Sequence, residues 1–537
     1  MEQPPKQSNE TTTGRWLTGL LMLLSAGFYL AGFIHLRADF PNGSPWMDWS
    51  KMTDEGWYGG AAIHHFVQGR WYLPDSFNPS VAMPAWPLML AGWFAAFGVG
   101  MVAARTLTML LYGVSLVLLY RLVKRARPGG LAAGVVLLTA INPFCSCFDR
   151  LAILEPVTVF WMMLALWLAG ETPRESRWRQ LFLGVLIFLL VLTKVTGVVL
   201  VPAVLYMMAM GWERPSLAGK ESLRRLWGRD LWRGVSAMAV PVVTAAVLWE
   251  GYLRLLVRPH YLGDYRFLFE INAYHAHLSI VPKMAWVALR DGGWINPVLF
   301  PLAAAMGLLS LVWLRDLWRV PLFGAAVIAI LGDLAYIGYH TNFQPRYYLV
   351  VAMPTAVVVG LSAAALWDRA RAAAGGWTRL LPAAVVTGAL AVAVSGMAIQ
   401  TVEFTLHPEY SFWNAAQGIA AVIGAMDGAQ KDKAPSVLLS DSGDDITLWT
   451  GMPAVCASLD PHGLDVTLRR YKPRWFAAWP GWESPTIQQM GRRYRMIEVA
   501  RFRVFDDPKR QNLVLYQLMP FSQGTCYGTP SRPPQLR

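Results

Sequence analysis

The stretch LFLGVLIFLLVLTKVTGVVLVPAVLYMMAMG at 181–211 determines the fold class, because Lys194 is its only charged residue. A membrane-spanning helix needs about 20 apolar residues, so this run is too long for one span and too apolar for a soluble protein. Lys194 and Gly197 interrupt the run. The pattern predicts two consecutive spans, 181–193 and 195–211, that meet at one membrane surface. The chain is therefore predicted to be an α-helical polytopic membrane protein.

The composition of the whole chain agrees with this interpretation. Of the 537 residues, 55% are hydrophobic and 15% are charged, whereas a soluble domain carries about 25% charged residues. The net charge of +13 could indicate a nucleic-acid partner, but the basic residues lie in loops between apolar runs. Such loops are typical of the cytoplasmic side of a membrane protein, so we expect membrane lipids and no nucleic acid as partners.

Nine other apolar runs are candidate spans, which gives eleven in all. They lie at 16–35, 101–120, 130–145, 153–170, 234–253, 293–314, 320–339, 347–367 and 380–400. Residues 1–14 are polar and are expected to form a disordered cytoplasmic tail. The run that follows this tail is longer than the apolar part of a signal peptide, so we interpret it as the first span.

The apolar stretch Val81–Gly100 decides the topology. If it spanned the membrane, the basic residues between Arg121 and Arg127, and the later basic loops on the same side, would lie outside. If it lies in the outer interface or re-enters the membrane, those loops lie inside, as the positive-inside rule requires. We therefore predict a juxtamembrane or re-entrant helix at this position.

This topology places one set of segments on the outer face. They are 36–100, 146–150, the junction at Lys194, 254–292, 340–346 and the residues after 400. Four ionisable residues lie towards the outer ends of their spans, where burial of charge is costly and usually functional. They are Glu155, Lys194, Glu250 and Asp333.

The C-terminal region, 401–537, has a different character, because short apolar strands alternate there with helical patterns. The predicted strands are 437–440, 475–479, 494–505 and 513–518, and the predicted helices are 444–450 and 463–471. This alternation predicts a small extracytoplasmic α/β domain after a transmembrane domain at 15–400 with long outer loops at 36–100 and 254–292. In such a domain, Cys456 and Cys526 could form a disulfide or remain two thiols.

The first candidate for chemistry is TDEGWY at 53–58, in the first outer loop. The adjacent carboxylates of Asp54 and Glu55 could act as a general base, bind a divalent metal ion, or do both. The same residues also suit a solvated loop in which Thr53 or Asp54 caps the helix that follows. The residues themselves leave both interpretations open.

The second candidate is DRLAILEP at 149–156. Asp149 and Arg150 lie on a short outer turn, and Glu155 begins the next span just before a proline. An interfacial ion pair and a glutamate favoured by the helix dipole would account for this pattern. A carboxylate at the lip of an apolar span is equally a candidate site residue.

Cations and histidines on the same side form a third group. Lys194, Arg266, Lys283 and Arg346 could bind a phosphate whose lipid tail lies in the bilayer, or could simply extend to the membrane surface. The histidines are His275, His277 and His340, and the first two could both face one metal ion only on a strand. The residues assign no metal site with certainty.

Four short motifs in this order resemble those of the GT-C membrane glycosyltransferases. They are the Asp-Glu pair followed by Tyr58, the loop at 149–156, LTKVTG at 192–197, and PRYYL at 345–349 before a span that contains Pro354. The branch they resemble contains the protein O-mannosyltransferases and the lipid A aminoarabinose transferases. The resemblance covers residues 16–400 and leaves the C-terminal region uncovered.

The resemblance implies a transferase that moves a sugar from a polyprenyl-phosphate donor to a glycan, lipid or protein hydroxyl at the outer face of a bacterial inner membrane. On this pattern Asp54 matches the essential first-loop acid and would be the general base. Supporting positions would be Glu55, also a catalytic candidate, Tyr58, and the second-loop residues Asp149, Arg150 and Glu155. The implied phosphate-binding residues are Lys194, Arg346 and Tyr347, with Arg266 and Lys283 as further candidates; Asp333 and His340 lie nearby.

One position departs from the aminoarabinose transferases. Those enzymes carry a lysine before a proline where the interfacial helix begins, and here Met83-Pro84 stands instead. This departure argues against a charged sugar and a lipid A acceptor. Two other classes of function compete with sugar transfer: a secondary transporter or flippase of a lipid-linked or anionic substrate, and a sensor or scaffold without activity. Charges clustered outside favour the enzyme over the transporter, and the intact Asp54-Glu55 pair favours it over the scaffold.

Overall fold

The structure, a computed structural model, describes residues 12–46, 54–173, 176–212, 229–257, 259–271, 277–341, 343–372, 380–428, 437–456 and 463–521. The chain divides into two compact units. The first comprises Met1–Leu73 and Phe77–Glu409, and the second comprises Pro74–Ser76 and Tyr410–Arg537. His275 and Cys526 lie outside the described residues, so the metal and disulfide predictions that involve them stay untested.

The regular secondary structure in the described part of the first unit is helical. Its helices are α1 (Thr12–Ala31), α2 (Glu55–Gln68), α3 (Ala85–Phe97), α4 (Met101–Ala126), α5 (Gly129–Ala140), α6 (Pro143–Phe148), α7 (Leu154–Glu171), α8 (Arg177–Thr193), α9 (Val201–Trp212), α10 (Arg229–Leu255), α11 (Pro259–Ile271), α12 (Val281–Asp291), α13 (Leu299–Val312), α14 (Pro321–His340), α15 (Leu349–Ala372) and α16 (Leu381–Leu406). Short 3₁₀ segments join several of them.

Among the described residues, seven helices are long and apolar enough to cross a membrane. They correspond to α1, α4, α7, α10, α14, α15 and α16. The other four predicted spans are also helices, but α5, α8, α9 and α13 have only 12 to 17 residues. The stretch predicted not to span is the 13-residue helix α3. The predicted polytopic helical architecture is therefore confirmed.

Two predicted spans, 130–145 and 293–314, have wrong boundaries. α5 ends at Ala140, and a separate short helix begins at Pro143 because the Asn142 side chain accepts a hydrogen bond from the Phe144 amide. α13 begins only at Leu299, where the Asn296 side chain accepts hydrogen bonds from two amides of the first turn. Side-chain caps of this kind fix a helix start more sharply than hydropathy does.

The predicted break in 181–211 is present at Lys194. α8 ends at Thr193, and Lys194 has extended backbone angles of φ −151° and ψ 121°. A 3₁₀ segment, Val195–Leu200, then leads into α9. The interruption therefore places a lysine at a helix end, in the middle of a long apolar run.

The second unit contains a five-stranded sheet in the order β2-β1-β3-β5-β4. Its elements are α17 (Ser411–Gly428), β1 (Leu438–Ser440), α18 (Gly443–Thr450), β2 (Ala454–Cys456), α19 (Leu464–Tyr471), β3 (Trp475–Ala478), α20 (Ser484–Gly491), β4 (Tyr494–Arg503) and β5 (Asn512–Pro520). The strands β2, β1 and β3 are parallel, and β5 runs antiparallel to β3 and β4. The predicted α/β class of this region is confirmed.

A hydrophobic core holds the strands and helices of the second unit together. Leu439, Val455 and Phe476 are fully buried on neighbouring strands and pack with Leu468 of α19. β2 was not predicted, because its three residues form a strand through their pairing with β1. Cys456, at the end of β2, donates a hydrogen bond from Sγ to the carbonyl of Asp441.

Candidate active site

Asp54 immediately precedes α2, where the sequence allowed it to be either a cap or a site residue. Its side chain makes no capping hydrogen bond to the helix. Instead, Oδ2 forms an ion pair with Nη1 of Arg346 at 2.8 Å. The Asp54 side chain is 36% exposed and Arg346 is 8% exposed. Asp54 therefore offers a carboxylate that solvent and a water-borne substrate can reach.

Arg346 and Lys194 reach the site from two different breaks in the helical pattern. Arg346 lies in the 3₁₀ segment Pro345–Tyr348 that leads into α15, and Lys194 lies at the end of α8. Between them is Glu155, in the first turn of α7, where the helix dipole favours a carboxylate. Lys194 Nζ donates to Glu155 Oε1 at 2.7 Å, and Arg346 Nε lies 3.9 Å from the same oxygen.

These contacts form a continuous chain of alternating charges. It runs from Asp54 through Arg346 and Glu155 to Lys194. Asp54 is its most exposed member at 36%, whereas Arg346 is 8%, Glu155 0% and Lys194 12% exposed. We name these four residues the ion chain.

Aromatic rings cover the cations of the ion chain. Lys194 Nζ lies 4.0 Å from the centroid of the Tyr347 ring, and the Arg346 guanidinium lies 5.6 Å from the same centroid and 5.7 Å from that of Tyr58. Such cation–π contacts stabilise a desolvated cation. Arg346 also donates to the Tyr58 hydroxyl at 3.4 Å. Burial raises the pKa of Tyr58 well above its ordinary value, despite the opposing effect of Arg346, so this hydroxyl keeps its proton.

Glu55 has a different setting from its neighbour, because it is completely buried against Arg105. Arg105 donates through Nε and Nη2 to the two Glu55 oxygens at 2.8 and 2.6 Å. Its third nitrogen, Nη1, donates to the carbonyls of Leu36 and Ala38. Glu55 Oε1 also accepts from the amide of Ala152. Glu55 thus ties the first loop to α4 and to the second loop.

Arg105 is a buried residue of the candidate site that was not predicted from the sequence. It lies within the apolar helix α4 and is 2% exposed. A signal was present, because an arginine inside a candidate span is costly unless it has a partner. No motif pointed to Glu55 as that partner, 50 residues earlier in the chain.

Asp149 and Arg150 do not join the ion chain. Arg150 donates to the backbone carbonyls of His35 and Asp39. Asp149 is buried in another direction, and its Oδ1 has no hydrogen-bond partner among the described residues. Burial raises the pKa of the Asp149 carboxyl well above its ordinary range. Of the two acids in this loop, the structure brings Glu155 and not Asp149 towards Asp54.

The remaining predicted residues fall into two groups. Asp333, on α14, is buried and feels the charges of Lys194 and Glu155. His340 ends the same helix, with its ring against Tyr336. The others are exposed side chains on or beside α11 and α12, without a described contact to the ion chain: Arg266, His277 and Lys283.

The local sequence of each element thus places two acids, two cations and two tyrosines at one point. The two cations flank Glu155 and could together hold an anion such as a phosphate. The exposed end carries a carboxylate within reach of a second substrate. Such an arrangement suits displacement at a carbon that bears a phosphate leaving group.

Comparisons with known proteins agree with this geometry. Residues 79–223 match the dolichyl-phosphate-mannose-protein mannosyltransferase family. The crystal structure of ArnT from Cupriavidus metallidurans bound to undecaprenyl phosphate superposes with a TM-score of 0.59 at 17% identity, over 93% of this chain and 98% of that one. The chain has a GT-C-like fold.

A second solved structure extends the comparison. The archaeal oligosaccharyltransferase AglB from Archaeoglobus fulgidus, in complex with an inhibitory peptide and a dolichol-phosphate, gives a TM-score of 0.50 at 12% identity. The match covers 89% of this chain and 70% of AglB. No curated protein sequence matches the chain.

The metal ion predicted near Asp54 and Glu55 stays a prediction. Arg105 binds both Glu55 oxygens, and Arg346 binds Asp54, so the two carboxylates are directed to different partners. Within the part of the chain that the structure describes, no three His, Cys, Asp or Glu residues are grouped as metal ligands.

Proposed function

We propose that this chain is a membrane glycosyltransferase that transfers a sugar from a polyprenyl-phosphate donor to an acceptor hydroxyl. The observation that supports this function most directly is the ion chain, in which an accessible carboxylate lies beside two cations that are largely shielded from solvent. The similarity to ArnT with bound undecaprenyl phosphate, and to AglB with bound dolichol-phosphate, supports a donor of the same chemistry.

In this proposal Asp54 is the general base. It accepts the proton of the acceptor hydroxyl while the acceptor oxygen attacks the anomeric carbon of the donor sugar. The bond between that carbon and the phosphate oxygen breaks, and its electron pair stays with the phosphate. Asp54 suits this step because it is the most exposed member of the ion chain.

Lys194 and Arg346 bind the donor phosphate and stabilise the charge that it gains. Charge-assisted hydrogen bonds to phosphate are stronger than neutral ones, especially at a site from which water is excluded. Glu155 holds both cations in place before the donor arrives. We assign Glu55 the role of a positioning residue, because its oxygens are occupied by Arg105 and by a backbone amide.

The ends of three helices support a site at the outer membrane face. α4, α7 and α15 begin beside Arg105, Glu155 and Arg346. At their other ends, Arg125 of α4 pairs with Glu171 of α7, and Arg127, just after α4, pairs with Asp368 of α15. The last turn of α15 adds two further arginines. α4 alone has 26 residues and is about 39 Å long, enough to cross a bilayer. Because basic ends face the cytoplasm, we propose that the ion chain faces the outside of a bacterial inner membrane.

Transport is the less suitable function for this geometry. Secondary transporters bind their substrates near the membrane midplane, between broken helices. Here the ion chain lies in the first turn of α7, in the 3₁₀ segment before α15, and at the residue that follows α8.

Donor binding can be tested with undecaprenyl phosphate and purified enzyme. Arg346→Gln should weaken binding about 10- to 150-fold, because a hydrogen bond to a charged group contributes about 1.5–3 kcal/mol. Lys194→Gln should do the same when combined with Glu155→Gln, so that no uncompensated buried charge remains. Lys283→Gln, an exposed control, should bind as the wild type does. Equal affinity in all four proteins would contradict the proposed phosphate site.

A further inference from the structure

Asp333 is a buried carboxylic acid that the proposed roles leave unexplained. It lies on the membrane-spanning helix α14, is 5% exposed, and its Oδ2 has no hydrogen-bond partner in the described part of the chain. It also forms no ion pair with a described residue. An unpaired carboxylate is unfavourable at such a position, and the usual solution is that the group binds a proton and becomes neutral.

Close packing brings α14, the helix of Asp333, against the segment that follows Lys194. The neighbouring Gly332 faces the backbone that follows Lys194, and a Cβ added to it would stand 2.6 Å from the carbonyl oxygen of Val199. Only glycine permits this approach of α14 to the 3₁₀ segment. The titratable groups that face Asp333 are Lys194, Glu155, Tyr336 and Tyr348.

The charges of the site make a neutral Asp333 useful. Asp54 and Glu155 already balance Arg346 and Lys194, and the Lys194 ammonium is bonded to Glu155 at 2.7 Å. An ionised Asp333 would therefore oppose the single negative charge of a phosphodiester donor. A protonated Asp333 instead adds no charge and offers an O–H group within the electrostatic influence of Lys194.

We propose that Asp333 is the general acid that protonates the leaving phosphate, an inference that rests on the proposed glycosyl transfer. As the bond from the anomeric carbon to oxygen breaks, its electron pair goes to the phosphate oxygen, and the Asp333 proton moves to the phosphate. The products are the glycoside and a polyprenyl hydrogen phosphate. Asp54 holds the acceptor's proton and releases it to water, and Asp333 takes a new proton from water. The charge of the lipid phosphate stays at minus one throughout.

The pH dependence of turnover tests this role. In the wild type, kcat should fall as the pH rises and Asp333 loses its proton. Asp333→Asn keeps the shape but has no proton to transfer, so its kcat should be about 10²- to 10⁴-fold lower and should lack this alkaline fall. Asp368→Asn, an exposed acid at the opposite end of α15, is the control and should keep the wild-type profile.

A donor with a less basic leaving group provides the second measurement. A phosphorothioate in place of the phosphate lowers the basicity of the leaving group, so it should recover much of the turnover that Asp333→Asn loses. Undecaprenyl phosphate binding by Asp333→Asn shows that the variant is folded. The role of Asp333 would be overturned if kcat of Asp333→Asn fell at high pH as that of the wild type does. It would also be overturned if the phosphorothioate donor changed the turnover of both proteins by the same factor. A wild-type enzyme that transfers no sugar from any polyprenyl-phosphate donor would contradict the proposed function itself.

Discussion

Asp54 and Glu55 are adjacent acids with different proposed roles, and the buried pair of Glu55 with Arg105 allows these roles to be tested separately. Asp54 is proposed to take part in catalysis, and Glu55 is proposed to position the loop. Glu55→Gln keeps an oxygen that can accept from Ala152 but leaves the Arg105 charge without its partner. Removing one member of a buried ion pair typically costs about 3–5 kcal/mol. Asp54→Asn should cost only about 0–1 kcal/mol, because Asp54 is partly exposed and water screens its pair with Arg346.

Arg105→Met should be more harmful than Glu55→Gln. It leaves the Glu55 carboxylate unpaired, and it also removes the donors to the carbonyls of Leu36 and Ala38. Each unpaired buried carbonyl costs about 1–3 kcal/mol in addition to the charge. The whole stability of a folded protein is commonly about 5–15 kcal/mol, so this variant should accumulate poorly.

The assay is the melting temperature of the purified enzyme in detergent, with sugar transfer measured on the same samples. We expect the order wild type, Asp54→Asn, Glu55→Gln, Arg105→Met, from most to least stable. The double variant Glu55→Leu with Arg105→Met carries no buried charge, so it should melt above Arg105→Met alone. If Glu55→Gln melted with the wild type and yet lost turnover, Glu55 would be a catalytic residue and our assignment would be wrong.

Three other predictions concern the rest of the chain. Asp149→Asn should change turnover less than tenfold, because Asp149 lies away from the ion chain. This limit corresponds to less than about 1.4 kcal/mol in the activation barrier. A larger loss of turnover in a folded variant would show that Asp149 belongs to the active site. Burial, and then the charge of Asp441, raise the pKa of Glu483 in the second unit, so the folded state binds the proton more tightly than the unfolded state does. The wild type therefore loses stability as the pH rises from the pKa of Glu483 in the unfolded state towards its pKa in the folded state. Over this range the melting temperature of Glu483→Gln should fall less than that of the wild type. Parallel curves of melting temperature against pH for the two proteins would contradict this. Reporter fusions at Gly129 and Gly428 should report opposite sides of the membrane, and matching sides would overturn the topology.

Much of the fold follows from hydropathy, because lipid leaves few alternatives to helices. The break at Lys194 was predictable, since a lysine and a glycine interrupt an apolar run that is too long for one span. The starts of α6 and α13 were not, because single asparagine side chains define them through hydrogen bonds to local amides. The strand β2 was missed because its order depends on pairing with β1.

The sequence predicted the individual residues of the candidate site, but it did not predict how they contact one another. Motifs identified Asp54, Glu155, Lys194 and Arg346 separately, and only the packing of α7, α8 and α15 makes them one chain. Residues that are adjacent in the sequence also need not share a site, because their side chains can point to different partners. Asp54 faces Arg346 while Glu55 faces Arg105.

The most direct test of the account is the rate at which Asp54→Asn releases polyprenyl phosphate from polyprenyl-phosphate sugars at saturating donor and acceptor. Asp54→Asn keeps the size of the side chain but cannot accept the acceptor's proton. We predict a rate about 10²- to 10⁴-fold below that of the wild type. Undecaprenyl phosphate should bind at least as tightly as to the wild type, because Arg346 loses a competing carboxylate. Turnover close to that of the wild type would contradict the assignment of Asp54 as the base.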